Sequence, residues 1–411
     1  MSVRRLFWLV ATLFATPMAQ AQVVGEILPP WTQGVLDIHQ ISTGRGNCAL
    51  LVFPDGTSML VDAGAISGNN PRYVAPRPDD SRSPGGWIIR YVLEMLKQDA
   101  APALDYVLLT HFHSDHMGQT SDDSRLSKSG KYRLSGISEV GEQIPIRKIL
   151  DRGWPDYQYP SPLEERNVKN YRAFLSWQAE HNSLHVERFQ PGRKDQITLV
   201  RAPELYPNFE IRNVVANGEV WTGVGTNTRQ EFPPLSEIPH GDRPSENMCS
   251  AGFRLSFGSF DYYSGGDIPG IPFEGYPSWH DMETPVAQAV GPVEAALLNH
   301  HGYLDSQNAF LVAALRPMIW VLNVWESAHP TGRVYQRLQS TRIYPGPRDI
   351  FATNMHDANL LVVVGLDQMK SSHGHVVIRV DPGGGSFRVV ILDDSAETYK
   401  VKSVHGPYQS R

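Results

Sequence analysis

Apolar residues along the chain fall mostly into short runs bounded by Gly, Pro, Asn and Asp, the signature of strands between turns. Residues 35–42, 49–53 and 58–61 read as strands, and Pro54-Asp55-Gly56 between the last two predicts a hairpin turn. Residues 87–97 change period: Ile88, Tyr91, Val92 and Met95 recur at helical spacing. A short strand at 106–109 follows. Residues 119–247 are less regular, with one helix predicted around 163–180 and loops rich in Pro, Gly and Asn. Regular alternation resumes with a hairpin at 252–257 and 260–263. Then come strand 294–298, helix 305–315, strand 318–322, helix 332–338 and strands 360–364, 375–380 and 387–392. No internal repeat interrupts this order. Strands alternating with helices, without a clear linker, predict a layered α/β sandwich carrying a long insertion at about 119–247.

Composition narrows this picture. The 411 residues are 41% hydrophobic, enough for a sizeable core, which excludes wholesale disorder. The 35 Gly and 31 Pro predict long ordered loops rather than a helical bundle. A formal charge of −6 argues against a basic nucleic-acid-binding domain. Two cysteines exclude a disulfide scaffold and any Cys-only zinc cluster, and leave the pairing of Cys48 with Cys249 open.

The first residues read as a targeting segment. Arg4 and Arg5 precede an apolar run at 6–16, Pro17 breaks it, and Ala19-Gln20-Ala21 fits a small-x-small cleavage site. The expected division is a signal peptide at 1–21 and one domain at 22–411, exported to a periplasmic or extracellular compartment, with no later run of membrane-spanning length. Loss of the two arginines would take the charge from −6 to −8.

The candidate chemistry begins at Thr110-His111-Phe112-His113-Ser114-Asp115-His116, directly after an apolar strand. In an extended loop, residues i and i+2 point the same way, so His111 and His113 are placed to hold one metal ion. The chain then turns, which lets Asp115 and His116 face a second. Imidazole with carboxylate suits Zn²⁺, and also Mn²⁺ or Fe.

This string resembles that of the metallo-β-lactamase-fold hydrolases, and further pieces in order resemble the hydrolase domain of the ComEC competence proteins. They are Gly44-Arg45-Gly46-Asn47, Leu60-Val61-Asp62-Ala63-Gly64, Asn247 with Ser250, Ser264-Gly265-Gly266-Asp267, Asn299-His300-His301-Gly302, His329-Pro330 and Ile350-Phe351-Ala352-Thr353. The resemblance implies a four-layer αββα sandwich and two divalent metal ions, Zn²⁺ first and Mn²⁺ as the alternative. The implied ligands are His111, His113, Asp115, His116, Asp267 and His300. Asp267 is expected to bridge the ions, Asp62 to orient the loop, and His301 to act beside the ligands, orienting them or touching substrate. Asp115, Asp267 and His301 are the expected catalytic residues, and His329 is a candidate substrate contact.

Most dinuclear members of that superfamily supply another His between the first motif and the bridging Asp. Here His181, His185 and His240 are the candidates, and none stands in a recognisable Gly-His-Ser/Thr context. The expected activity is metal-assisted hydrolysis. A phosphodiester or other small-molecule substrate is favoured by the resemblance, with lactam, lactone or thioester hydrolysis as the alternative and a non-catalytic metal-binding protein as a third reading. The acidic charge disfavours nucleic acid. Residues Arg125, Lys128, Lys131, Arg133, Arg147 and Lys148, with Tyr132, Trp154, Tyr157, Tyr159, Tyr171 and Trp177, offer a basic and aromatic lining inside the variable stretch.

Overall fold

The computed structural model describes residues 22–411, so the targeting segment expected at 1–21 lies outside the described residues. In chain order the strands are β1 (Leu36–Gln40), β2 (Ala49–Val52), β3 (Ser58–Val61), β4 (Leu104–Leu109), β5 (Ile146–Asp151), β6 (His185–Arg188), β7 (Phe209–Ala216), β8 (Glu219–Trp221) and β9 (Thr228–Gln230). They continue as β10 (Gly252–Phe257), β11 (Phe260–Ser264), β12 (Ala295–Leu297), β13 (Ile319–Leu322), β14 (Asp349–Ala352), β15 (His375–Val380), β16 (Ser386–Leu392) and β17 (Val401–Gln409). The helices are α1 (Pro84–Met95), α2 (Ser114–Met117), α3 (Ile137–Gln143), α4 (Arg166–Asn182), α5 (Glu283–Val290), α6 (Ala309–Leu315), α7 (Gly332–Gln339) and α8 (Asp357–Val362).

Among the described residues these strands form two sheets. The first runs β17-β16-β15-β1-β2-β3-β4-β5-β6, antiparallel up to β3 and parallel from β3 to β6. The second runs β14-β13-β12-β11-β10-β7-β8-β9, parallel from β14 to β11 and antiparallel beyond.

Alternation along the strands explains the layering. In β1 to β3, Leu36, Ile38, Leu51, Met59 and Val61 point into the space between the sheets, where Phe253, Leu255, Tyr262, Leu297 and Val321 of the second sheet meet them. Leu50, Val52 and Leu60 point the other way, onto a core shared with Ile88, Tyr91 and Val92 of α1 and Phe174 of α4. The outer face of the second sheet packs on Val286 of α5, Leu311 of α6 and Val334 of α7. The order is helix, sheet, sheet, helix, the four-layer sandwich. Because the strands are buried on both faces, they read as continuous apolar runs. Full burial of Ile88 and Val92 is worth about 1.5–3 kcal/mol each relative to exposure. Ser83 starts α1, its Oγ accepting Gly86 N–H at 3.1 Å ahead of Pro84 in the first turn.

Three expectations change. Residues 119–247 are more regular than their sequence suggests: β5 and β6 extend the first sheet, β7 to β9 extend the second, and α3 and α4 cover the first. Residues 360–364 are not a strand; α8 ends at Val362, capped at its start by His356 Nδ1, and its apolar side chains face outward. A short apolar run has no period of its own, so strand and helix look alike there. β17 was not expected, because its polar Val401–Gln409 sequence with Gly406-Pro407 belongs to an exposed edge. Cys48 and Cys249 are free, each buried in a different helix-facing core. No described helix is long and apolar enough to cross a membrane.

Candidate metal centre

The chemistry-bearing residues leave the carboxyl ends of strands from both sheets. Asp62 follows β3, His111 to His116 follow β4, Asp267 follows β11, His301 follows β12 and Asn323 follows β13. Open α/β sheets place ligands at this end.

Asp62 organises the first loop. Its Oδ1 accepts Thr110 N–H at 2.8 Å, and its Oδ2 accepts Thr110 Oγ1–H and Asn47 Nδ2–H, each at 2.9 Å. The same Oδ2 lies 2.7 Å from His116 Nδ1. Asp62 has φ +60°, a left-handed conformation that Asp tolerates better than most residues. The turn of α2 sits directly on glycine: a Cβ at Gly64 would come within 2.0 Å of Asp115 O and one at Gly46 within 2.3 Å. These glycines let the chain carrying Asp115 and His116 close onto β3.

Asp267 Oδ2 is the meeting point. His116 Nε2 lies 3.2 Å from it, His301 Nε2 3.5 Å and His111 Nε2 3.7 Å. Asp115 Oδ2 is 3.1 Å from His301 Nε2 and 3.6 Å from His116 Nε2. Asp115, His116, Asp267 and His301 are all buried, and their donor atoms lie within 4.8 Å of one another. His111 stands beside this group, its Nε2 3.2 Å from His113 Nδ1. His111 thus stands between His113 and the Asp267 carboxylate.

The donors suit a divalent cation. His116 Nδ1 is engaged by Asp62, and His301 Nδ1 donates to Asn323 O at 2.8 Å, so each ring turns Nε2 toward the carboxylates. Burial opposes ionisation of Asp267 and Asp115, but the neighbouring imidazoles outweigh it and hold both carboxyls well below the usual range. Burial likewise opposes charge on His116; Asp267, Asp62 and Asp115 outweigh it and raise its pKa well above the ordinary imidazole value. The cluster thus draws positive charge inward. Burial and the neighbouring His116 keep His111 neutral, the form that donates a lone pair.

The geometry exchanges the roles expected of the paired histidines. His301 joins the donor cluster. His300 turns away, its Nδ1 2.7 Å from Asp305 Oδ1 and its Nε2 3.1 Å from Asn247 Nδ2. The cause is local backbone: His300 (φ +45°) and His301 (φ +52°) are both left-handed in the 3₁₀ turn Asn299–Gly302, which delays inward presentation by one residue. Burial lowers the pKa of His300, but the Asp305 bond and the charge of Asp267 raise it to about 9. His329 is buried and stacks on His301 at 4.7 Å, beside Trp325.

None of the three spare histidines reaches the cluster. His181 stacks on Trp177, His185 bonds Glu187 at the sheet edge, and His240 is exposed. Much of the basic and aromatic set in the variable stretch is structural: Tyr157 and Tyr171 bond the buried Asp151, and Lys148 pairs with Glu187. Sequence reasoning missed Asn323, Asp305 and Glu246. Glu246 Oε1 accepts Phe112 N–H at 2.7 Å, between the two motif histidines, and the carboxylate is gripped by the buried Arg152. No local signal marks Asn323 or Glu246, which act across 22 and 134 residues; Asp305 is only five residues from His300, but its role depends on which of the paired histidines turns away.

Residues 41–121 match the model of the metallo-beta-lactamase superfamily, a stretch that holds Asp62 and the whole His111–His116 motif. No curated protein matches the chain. The match, the two-sheet sandwich and the donor cluster together support the superfamily and, in general terms, a metal-dependent hydrolase.

Proposed function

We propose that this protein is an exported phosphodiesterase that depends on two divalent metal ions. The observation that carries the reading is the position of Asp267 Oδ2, with three imidazole nitrogens from two donor sets within 3.7 Å. A carboxylate shared between adjacent sites suits paired ions acting on one displacement at phosphorus. Asp115, His116, Asp267 and His301 would hold one ion; His111 and His113, with Asp267, would hold the other. Bound there, the ions supply Lewis acidity to a water and to the substrate oxygen, a contribution no side chain here makes alone.

The protein's own groups do the rest. Asp62 and the Asn323 carbonyl fix the orientations of His116 and His301, so donors are in place before substrate arrives. His300 stands beside the cluster, 18% exposed, held by Asp305 at Nδ1 and by Asn247 at Nε2, where it is suited to touch a bound substrate. His329 and Trp325 wall the His301 side against water.

The test compares a bis-p-nitrophenyl phosphate reporter with a lactam reporter. Faster turnover of the phosphodiester, lost on chelation and restored by Zn²⁺ or Mn²⁺, is expected. Preference for the lactam would move the assignment to acyl hydrolysis; bound metal with neither reaction would leave a binding protein.

A further inference from the structure

Within the apolar run at 360–364 only Val363 packs on a core, that of the second sheet's outer face. Leu361 is 86% exposed, Val362 72% and Val364 80%, on the tip formed by α8 and the residues after it. Isolated exposed aliphatics are ordinary, but these three crowd one short tip and are largely solvated. The tip is nonetheless firmly placed. Asn359 Nδ2 donates to His329 O at 3.0 Å, and Gly365 O accepts the Tyr335 hydroxyl of α7 at 2.8 Å. Through His329, which stacks on His301, it adjoins the candidate metal centre.

The neighbouring surface has an unusual charge. From 306 to 370, Arg316, Arg333, Arg337, Arg342, Arg348 and Lys370 outnumber Glu326, Asp349, Asp357 and Asp367, in a chain of net charge −6. Glu326 is taken by Arg72. Among the described residues none of the five arginines forms an ion pair with a carboxylate. Arg337 and Arg348 donate to backbone carbonyls, as does Arg316. Arg333 and Arg342 are exposed, on α7 and just after it. A Cβ placed on Gly332, next to Arg333, would lie 3.8 Å from Val363 Cγ1, so the start of α7 stands close to the tip.

An exposed aliphatic tip in a net-positive stretch, beside arginines that no carboxylate pairs, is complementary to an anionic lipid surface, where the apolar groups enter the acyl boundary and the guanidiniums meet phosphates. A second copy of the chain is a poorer occupant: a few aliphatic side chains fall well short of the about 800 Å² per partner of a standard interface. We propose that the α8 tip, with Arg333 and Arg342, docks the protein on anionic lipid bilayers, with the metal-centre side toward the membrane. This inference rests on the surface alone and is independent of the reaction assigned to the site.

The experiment is vesicle flotation with residues 22–411, which contain every described element, so that the apolar segment at 1–21 contributes nothing. Vesicles are phosphatidylcholine with and without phosphatidylglycerol. The wild-type chain is expected to float with the anionic vesicles and to be released by high salt. Leu361→Asp with Val362→Asp should abolish flotation. Arg333→Gln and Arg342→Gln should each weaken it by roughly fivefold, on anionic vesicles only. Circular dichroism and metal content of every variant should match wild type, which separates docking from folding. Failure of the wild-type chain to float, or equal flotation of the aspartate variants, overturns the proposal. So does a wild-type dimer that the aspartate variants dissociate, which would assign the tip to self-association.

Discussion

His116 Nε2 and His301 Nε2 stand 3.2 Å apart, while Nδ1 of each ring is already engaged by an oxygen, Asp62 Oδ2 for one and Asn323 O for the other. With both rings neutral, as metal binding requires, the two Nε2 lone pairs would face each other and repel; a proton on His116 or a cation beside them supplies the positive charge that relieves this. Asp115 and Asp267 add two carboxylates to the same space. The backbone around His116 and His301 therefore holds in place an arrangement that a cation completes.

This separates the paired histidines by experiment. His301→Ala removes a donor and is expected to lower metal content per chain, with turnover lost in parallel. His300→Ala should leave metal content unchanged while lowering kcat, because His300 contacts Asp305 and Asn247 rather than the cluster. Elemental analysis of both purified variants beside their kinetics checks it; metal loss in the His300 variant alone would reverse the assignment.

Asp62→Asn keeps an acceptor for Thr110 N–H but removes the carboxylate from His116 Nδ1. Loss of such an orienting partner typically costs 10- to about 100-fold in metal affinity. Competition with a chromogenic chelator should show a shift of that size.

Arg152 is fully buried and depends on Glu246, whose carboxyl it holds below the usual range against the opposing effect of burial. Glu246→Ala leaves that guanidinium unpaired and also frees Phe112 N–H. Breaking a buried pair by removing one partner costs about 3–5 kcal/mol. Urea unfolding should show a loss of that order, smaller in the double variant Glu246→Ala with Arg152→Met.

His375 ties stability to pH. Burial lowers its pKa from 6.5 to about 4, and its Nδ1 accepts Ser42 N–H at 3.0 Å, which requires the neutral ring. Between these values the unfolded chain binds the proton that the folded chain refuses, so stability is fully present above pH 6.5 and falls as pH drops toward 4. The shift corresponds to about 3 kcal/mol. Unfolding measured across that window should show the slope, and His375→Asn should flatten it.

The sequence carried what is local. The period change at Ile88 and Tyr91 marks α1, the turn at Pro54-Asp55-Gly56 separates β2 from β3, and the six-residue metal string announces itself by composition. It could not carry what depends on distant partners. Asn323 reaches Asn47 and Gln40 across more than half the chain, and Glu246 braces Phe112 from a different sheet. Nor could it tell His300 from His301, because the choice rests on two consecutive left-handed residues that no side-chain pattern encodes. The run at 360–364 misled for the opposite reason: its apolar character describes a surface rather than a core.

The central claim is that paired donor sets sharing Asp267 hold metal and drive hydrolysis. The most direct test measures divalent metal per chain on residues 22–411, together with turnover of bis-p-nitrophenyl phosphate by the same sample before and after chelation. Two ions per chain are expected, with turnover that disappears with them and returns on adding Zn²⁺ or Mn²⁺, and loss of both in Asp267→Ala. Turnover that survives complete removal of metal, or full metal occupancy in Asp267→Ala, would contradict it.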